Sequence, residues 1–123
     1  MVRLQLVQLG FEVENGKTNE EKIVVPVLFG ENGKVDKSYH ADAYHRSSGY
    51  VVEVEAGAGV SNNRFLVDLF KALTMHGVDH LAIAVRIRYK TSNDFDRVVG
   101  FLDTLYTSNR FTLPLKEVLI IGY

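Results

Sequence analysis

Apolar positions fall at Val2, Leu4, Leu6, Val7 and Leu9, a spacing that fits either a strand or a short helix running into Gly10. Residues 11 to 14 and 22 to 29 read as extended, separated by a polar turn containing Asn15-Gly16-Lys17. Gly30-Glu31-Asn32-Gly33 reads as a second turn. A strand is predicted over 35 to 45, a turn at Arg46-Ser47-Ser48-Gly49, and a β-branched strand over Tyr50-Val51-Val52-Glu53-Val54-Glu55. Ser61-Asn62-Asn63 offers N-cap chemistry for a helix to about residue 76, with Phe65, Leu66, Leu69, Phe70 and Leu73 as its buried stripe. The apolar run from 80 to 89 predicts a central strand covered on both faces, and a strand-helix-strand crossover sets it parallel to residues 50 to 56. A second helix over 93 to 107 carries Phe95, Val98, Val99, Leu102, Leu105 and Tyr106, and residues 114 to 121 supply a last strand. The expected fold is α/β, a mixed sheet made of a hairpin meander and then αβαβ, flanked by helices, with residues 1–123 as a single domain.

Composition narrows the setting. At 123 residues, 46% hydrophobic and 24% charged, the chain can bury a core without a metal or disulfide staple. No apolar run approaches the roughly 18 residues of a membrane span and the start lacks a signal-peptide core, so a cytoplasmic protein with no membrane partner is expected. The absence of cysteine removes disulfides, thiolate zinc sites and cysteine nucleophiles. With a net charge of −1, any grip on nucleic acid must come from a local patch. Arg86, Arg88 and Lys90, alternating with apolar residues, form the best such edge for phosphate contact; otherwise they are a polar strand end.

The chemistry concentrates on the hairpin around residues 46 to 49. If its turn is symmetric, Asp42 lies opposite Glu53 and His40 opposite Glu55, and strand alternation gathers these side chains with Tyr44 on one face. Opposed side chains have Cβ atoms about 4.5–5.5 Å apart, where like charges destabilise a sheet. A divalent cation, Mg²⁺ or Mn²⁺, would offset the repulsion, with the carbonyl of Val54 as a further ligand. The alternative is a solvated strand face whose acids pair with surface cations. A one-residue slip would send Asp42 to the other face.

Tyr39-His40-Ala41-Asp42-Ala43-Tyr44, then Val52-Glu53-Val54-Glu55-Ala56-Gly57, then a helix over 63 to 75 and a strand over 80 to 88, together resemble the PD-(D/E)XK nuclease superfamily, the fold of many restriction endonucleases. The helix-to-strand passage at Leu9-Gly10-Phe11-Glu12-Val13-Glu14 is also similar, so the likeness spans nearly the whole chain. It differs at two points: no proline precedes Asp42, and Glu55 stands at the lysine position, as in the Glu-x-Glu variants of that superfamily. The resemblance implies a metal-dependent hydrolase of nucleic-acid phosphodiesters, with DNA as the expected partner. Asp42 and Glu53 would bind metal, and Glu55 would bind a second ion or position water. Lys71 would stand in for the missing cation, unless it is a solvated lysine at the edge of the buried stripe set by Leu69 and Phe70. A homodimer is expected, because so short a chain has little room for a separate specificity domain.

Other patterns carry less. Gly57-x-Gly59 lacks the third glycine of a dinucleotide loop and reads as a tight strand-to-helix passage, although Asn62, Asn63 and Arg64 at the helix start could hold a substrate phosphate. His40, His45, His76 and His80 have no zinc-site spacing, while His40 could pair with Glu55 in acid–base work or simply as a cross-strand pair. Tyr106, Arg110 and Phe111 are stacking candidates or core. The rival to the nuclease is a catalytically inactive module of the same fold that binds a nucleic acid or a protein.

Overall fold

The computed structural model describes residues 2–16, 18, 21–56 and 63–123, and has a mixed α/β architecture. The N-terminal segment is a helix, α1 (Val2–Gln8), in which Leu6 turns inward while Leu4, Val7 and Leu9 stay exposed. A five-stranded sheet follows the order β1 (Glu12–Val13), β4 (Ala43–His45), β5 (Tyr50–Val54), β6 (His80–Val85) and β7 (Glu117–Gly122). Its first three strands are antiparallel, and β5, β6 and β7 are parallel. The parallel pairs follow from two crossovers through α2 (Arg64–Thr74) and α3 (Asp94–Thr107). β2 (Ile23–Phe29) and β3 (Val35–Ala41) pair separately as a two-stranded antiparallel sheet, so the expected meander is divided between two sheets.

That division happens at Asp42. The stretch expected as one strand from 35 to 45 bends there, because Ala41 pairs with Ile23 in the small sheet while Ala43 pairs with both Val13 and Val52 in the large one. The Asp42 carbonyl accepts from the Glu14 amide (2.9 Å), and its Oδ2 accepts from the Val54 amide (2.7 Å). The side chain thus takes the place of a backbone rung, which leaves the main chain free to turn.

The register of β4 on β5 is the symmetric one, His45 opposite Tyr50 and Ala43 opposite Val52. Gly49 fixes where β5 begins. It lies at φ +68°, a Cβ there would meet the Gly77 carbonyl oxygen at 2.5 Å, and its own carbonyl accepts from the amides of Asp79 and His80. Tyr50 therefore aligns with His80, and all five residues of β5 pair in step with β6.

One sheet face packs Val51, Leu81, Ile83 and Val85 against Phe65, Leu69 and Ala72 of α2 and Val98 and Leu102 of α3. Val25 of the small sheet is buried in the same core. The other face buries Ala43, Val52 and Ala82 under Leu6 and Phe11, so the middle of β6 is covered on both sides, as its apolar run requires. Phe70 is not part of the buried stripe: it is 59% exposed, about 100° of helix rotation beyond Leu69. Val99 and Tyr106 are likewise partly exposed, since the inner line of α3 runs through Val98 and Leu102. β6 ends at Val85 instead of continuing to 89, because Tyr89 and Ser92 close a tight turn with Lys90 at φ 55°. Among the described residues no helix is long and apolar enough to cross a membrane.

Candidate functional site

Where β3 bends into β4, a polar cleft of about 400 Å³ opens between the end of β5 and the first turns of α2. Asp42, Glu53 and Glu55 all line it, together with the Val54 backbone. Continuing the two registers by one step sets Glu14, Asp42 and Glu53 in a row across β1, β4 and β5, on the face that α2 covers. Val54 contributes differently. Its amide points at Asp42, and in a strand the carbonyl of the same residue leaves by the same edge, so both main-chain groups face the bend.

Three more lining residues come from α2. Arg64, Asp68 and Lys71 follow one another at i, i+4 and i+7, a polar stripe one residue out of phase with the apolar stripe Phe65, Leu69 and Ala72. Lys71, placed by the sequence at the edge of the buried stripe, reaches the cleft, where its Nζ lies 3.6 Å from Asp68 Oδ1. Arg64 Nε is 3.9 Å from Glu55 Oε2. His40 and Lys22, from the small sheet and its approach, complete the wall. Glu14, Lys22 and Asp68 were not legible as site residues, but the i, i+4, i+7 relation of Asp68 to Arg64 and Lys71 is the signal that finds it.

The acids crowd one another. Burial, then the charges of Asp68 and Asp42, push the Glu53 carboxyl up to about 9, against a smaller opposing pull from Lys71. Burial, followed by the neighbouring Asp68 carboxyl, pushes Glu55 up to about 8, with Arg64 opposing. Glu14 is raised as well, by burial and by its hydrogen bond with Asp42. Glu53 is only 6% exposed, and among the described residues its Oε1 has no hydrogen-bond partner. From the far end of the chain, the Tyr123 hydroxyl donates to the Glu55 carbonyl (2.7 Å) and holds the end of β5 in place.

The carboxylates of Asp42 and Glu53 and the carbonyl of Val54 are hard oxygen donors, the kind that Mg²⁺ or Mn²⁺ takes. Among the described residues no group of three or more His, Asp or Glu side chains is placed to hold a metal ion.

Other sequence candidates lie elsewhere. Arg86 and Arg88 are in the loop after β6, where Arg86 sits 5.7 Å from the Tyr89 ring and Arg88 donates to Asn93 Oδ1, so they form no strand edge. Asn63 is left-handed at φ 56° and its side chain makes no capping bond. Gly57, Gly59, Ser61 and Asn62 lie outside the described residues. His80 stacks on Tyr50 and lies 3.1 Å from Glu117, and His76 packs against Phe29, so neither joins the cleft. Tyr106 and Phe111 are about half exposed, away from the acids. Comparison of the chain with protein families, curated proteins and solved structures gives no match.

Proposed function

We propose that the chain is a metal-dependent hydrolase of nucleic-acid phosphodiesters, with the cleft at Asp42 and Glu53 as its active site and Mg²⁺ or Mn²⁺ as its cation. The observation that carries this is the Glu53 carboxyl, buried beside Asp42 and Asp68 with one oxygen unpartnered among the described residues. A fold that only needed a strand here would be more stable with an apolar side chain. Asp42, Glu53 and the Val54 carbonyl would hold the cation. Bound there, it would supply the charge that polarises a phosphate oxygen and lowers the pKa of water, so that hydroxide is available as the nucleophile.

The remaining work falls to this chain's own residues. Glu55, lining the cleft beside those donors and 3.9 Å from Arg64, would position the attacking water. Lys71 and Arg64 sit at the cleft wall, where they offset phosphate charge that the acids alone would repel. A duplex presents two strands to one acid cluster, so cutting both in one encounter requires two copies, and the mass in solution by sedimentation tests the expected homodimer.

The Arg64–Glu55 and Lys71–Asp68 pairs favour one other reading, a catalytically silent module of the same shape that binds nucleic acid or protein, because they neutralise part of the cluster without a metal. Thermal unfolding with and without millimolar Mn²⁺, for the parent and for Glu53→Gln, separates the two. A ligand that binds only the folded state stabilises it by about 2.7 kcal/mol at a hundred times its dissociation constant. Stabilisation of the parent but not of the variant supports the hydrolase, and cleavage assays on DNA and RNA then follow. No response from either discards it in favour of the silent module.

A further inference from the structure

A second cavity, of about 540 Å³, lies beside the acid cleft and shares Lys22 with it. Its walls come from α1, β1, the approach to β2 and the β4–β5 turn, and among the described residues three cations line it: Arg3, Lys22 and Arg46. Among the described residues that line it, Glu12 is the only acid. In a chain of net charge −1 this is a local excess of positive charge beside a cluster of acids. Such a juxtaposition suits a ligand that carries several anionic groups in a row, one of which needs cationic help at the acids.

Arg46 is already shaped for an anion. Its Nε is 3.0 Å and 3.2 Å from the two oxygens of Glu12, and its guanidinium lies 5.4 Å from the Tyr44 ring, which steadies the stem. Both partners of that ion pair are well exposed, at 61% and 48%. Exposed ion pairs contribute little to stability, so an incoming phosphate can replace the Glu12 carboxylate at little cost.

We propose that this basic cavity binds the phosphodiester backbone of a nucleic acid beside the phosphate that enters the acid cleft, with Arg46 and Arg3 gripping neighbouring phosphates and Lys22 spanning the two cavities. The inference rests on the nucleic-acid reading of the cleft and adds the path of the strand. A free mononucleotide would engage one cavity only, whereas a continuous backbone uses both. The path runs along α1 and the β4–β5 turn, away from Arg86 and Arg88.

The test is fluorescence anisotropy with a short labelled single-stranded DNA and its duplex, in EDTA so that nothing is cleaved, over a range of salt concentrations. Each phosphate contact contributes a slope of about 0.7 on a single strand and about 0.9 on a duplex in the logarithmic salt dependence. For Arg3→Gln/Arg46→Gln the slope should fall by about 1.4 on the single strand or about 1.8 on the duplex, with weaker binding at every salt concentration. Arg46→Lys should keep the slope, since it keeps the charge. Lys37→Gln/Lys116→Gln, which removes two cations outside both cavities, should leave it unchanged. Melting curves of each variant confirm that it is folded.

An unchanged slope in the folded double variant overturns the proposal, as does an equal fall in the control variant. Absence of DNA binding by the parent at low salt also overturns it. Mn²⁺ stabilisation that depends on Glu53 would then still stand, so failure of the groove and failure of the acid site are told apart.

Discussion

Glu53 occupies the middle of a strand whose neighbours Val51 and Val52 are buried, and its carboxyl holds a proton up to about 9 where an ordinary glutamate loses it near 4.5. Between those two pH values the native state binds more protons than the unfolded one, so stability falls as pH rises through that window. Glu55, raised to about 8, acts in the same direction. Metal-free protein should therefore melt at progressively lower temperature from about pH 5 to about pH 9. Glu53→Gln should flatten that decline and exceed the parent at alkaline pH by roughly 1–3 kcal/mol, as read by urea unfolding in EDTA. A parent whose stability is level across the window would mean that the carboxyls are not crowded. Tyr123 bears on the same strand from outside. Tyr123→Phe removes the hydrogen bond to the Glu55 carbonyl and should cost about 0.5–1.5 kcal/mol. It should also weaken Mn²⁺-induced stabilisation, an effect that loss of a remote hydrogen bond would not produce.

At the scale of the element, α2 carries two duties on adjacent stripes. Leu69, 2% exposed, anchors the helix to the sheet, and Leu69→Ala should cost about 2–5 kcal/mol in unfolding free energy. Asp68→Asn, one position earlier, should leave the packing intact, lower the carboxyls of Glu53 and Glu55 toward ordinary values and so reduce the loss of stability with pH. An Asp68→Asn protein with the parent's pH profile would remove α2 from the site. These stripes were only partly legible in the sequence. Phe65, Leu69 and Leu73 give the helix its period, but hydrophobicity alone puts Phe70 on the same face, although its angle turns it to solvent. The cross-strand register of Asp42 and Glu53 was legible because a four-residue turn closes symmetrically around residues 46 to 49. The bend at Asp42 was not, since a side chain replacing a backbone rung leaves no trace in hydrophobic periodicity. Glu14 was hidden for a related reason: β1 is only two residues long, too short for alternation to reveal its partner.

In the whole molecule, the cleft exists because one stretch of chain serves two sheets. The small sheet brings His40 and the approach to Asp42, and it is fastened to the large one by Val25, wholly buried in the common core, and by the hydrogen bond from the His76 amide to the Pro26 carbonyl (2.7 Å). The geometry of the acids therefore depends on how firmly the β2–β3 hairpin is docked, and not only on the strands that carry them. Val25→Ala should cost about 1.5–3 kcal/mol, and it should also weaken Mn²⁺ binding, because a loosened hairpin no longer holds Asp42 against Val54. Leu102→Ala, in α3, serves as the comparison: it is buried in the same core, but it lies in a helix that contributes nothing to the cleft. Its cost in stability should be as large or larger, yet the Mn²⁺-induced rise in melting temperature should persist. Hydrogen exchange of the β2 and β3 amides in each variant reports the docking directly. Equal loss of Mn²⁺ response in both variants would show that the cleft senses global stability alone, and the hairpin would then have no special part in shaping the site.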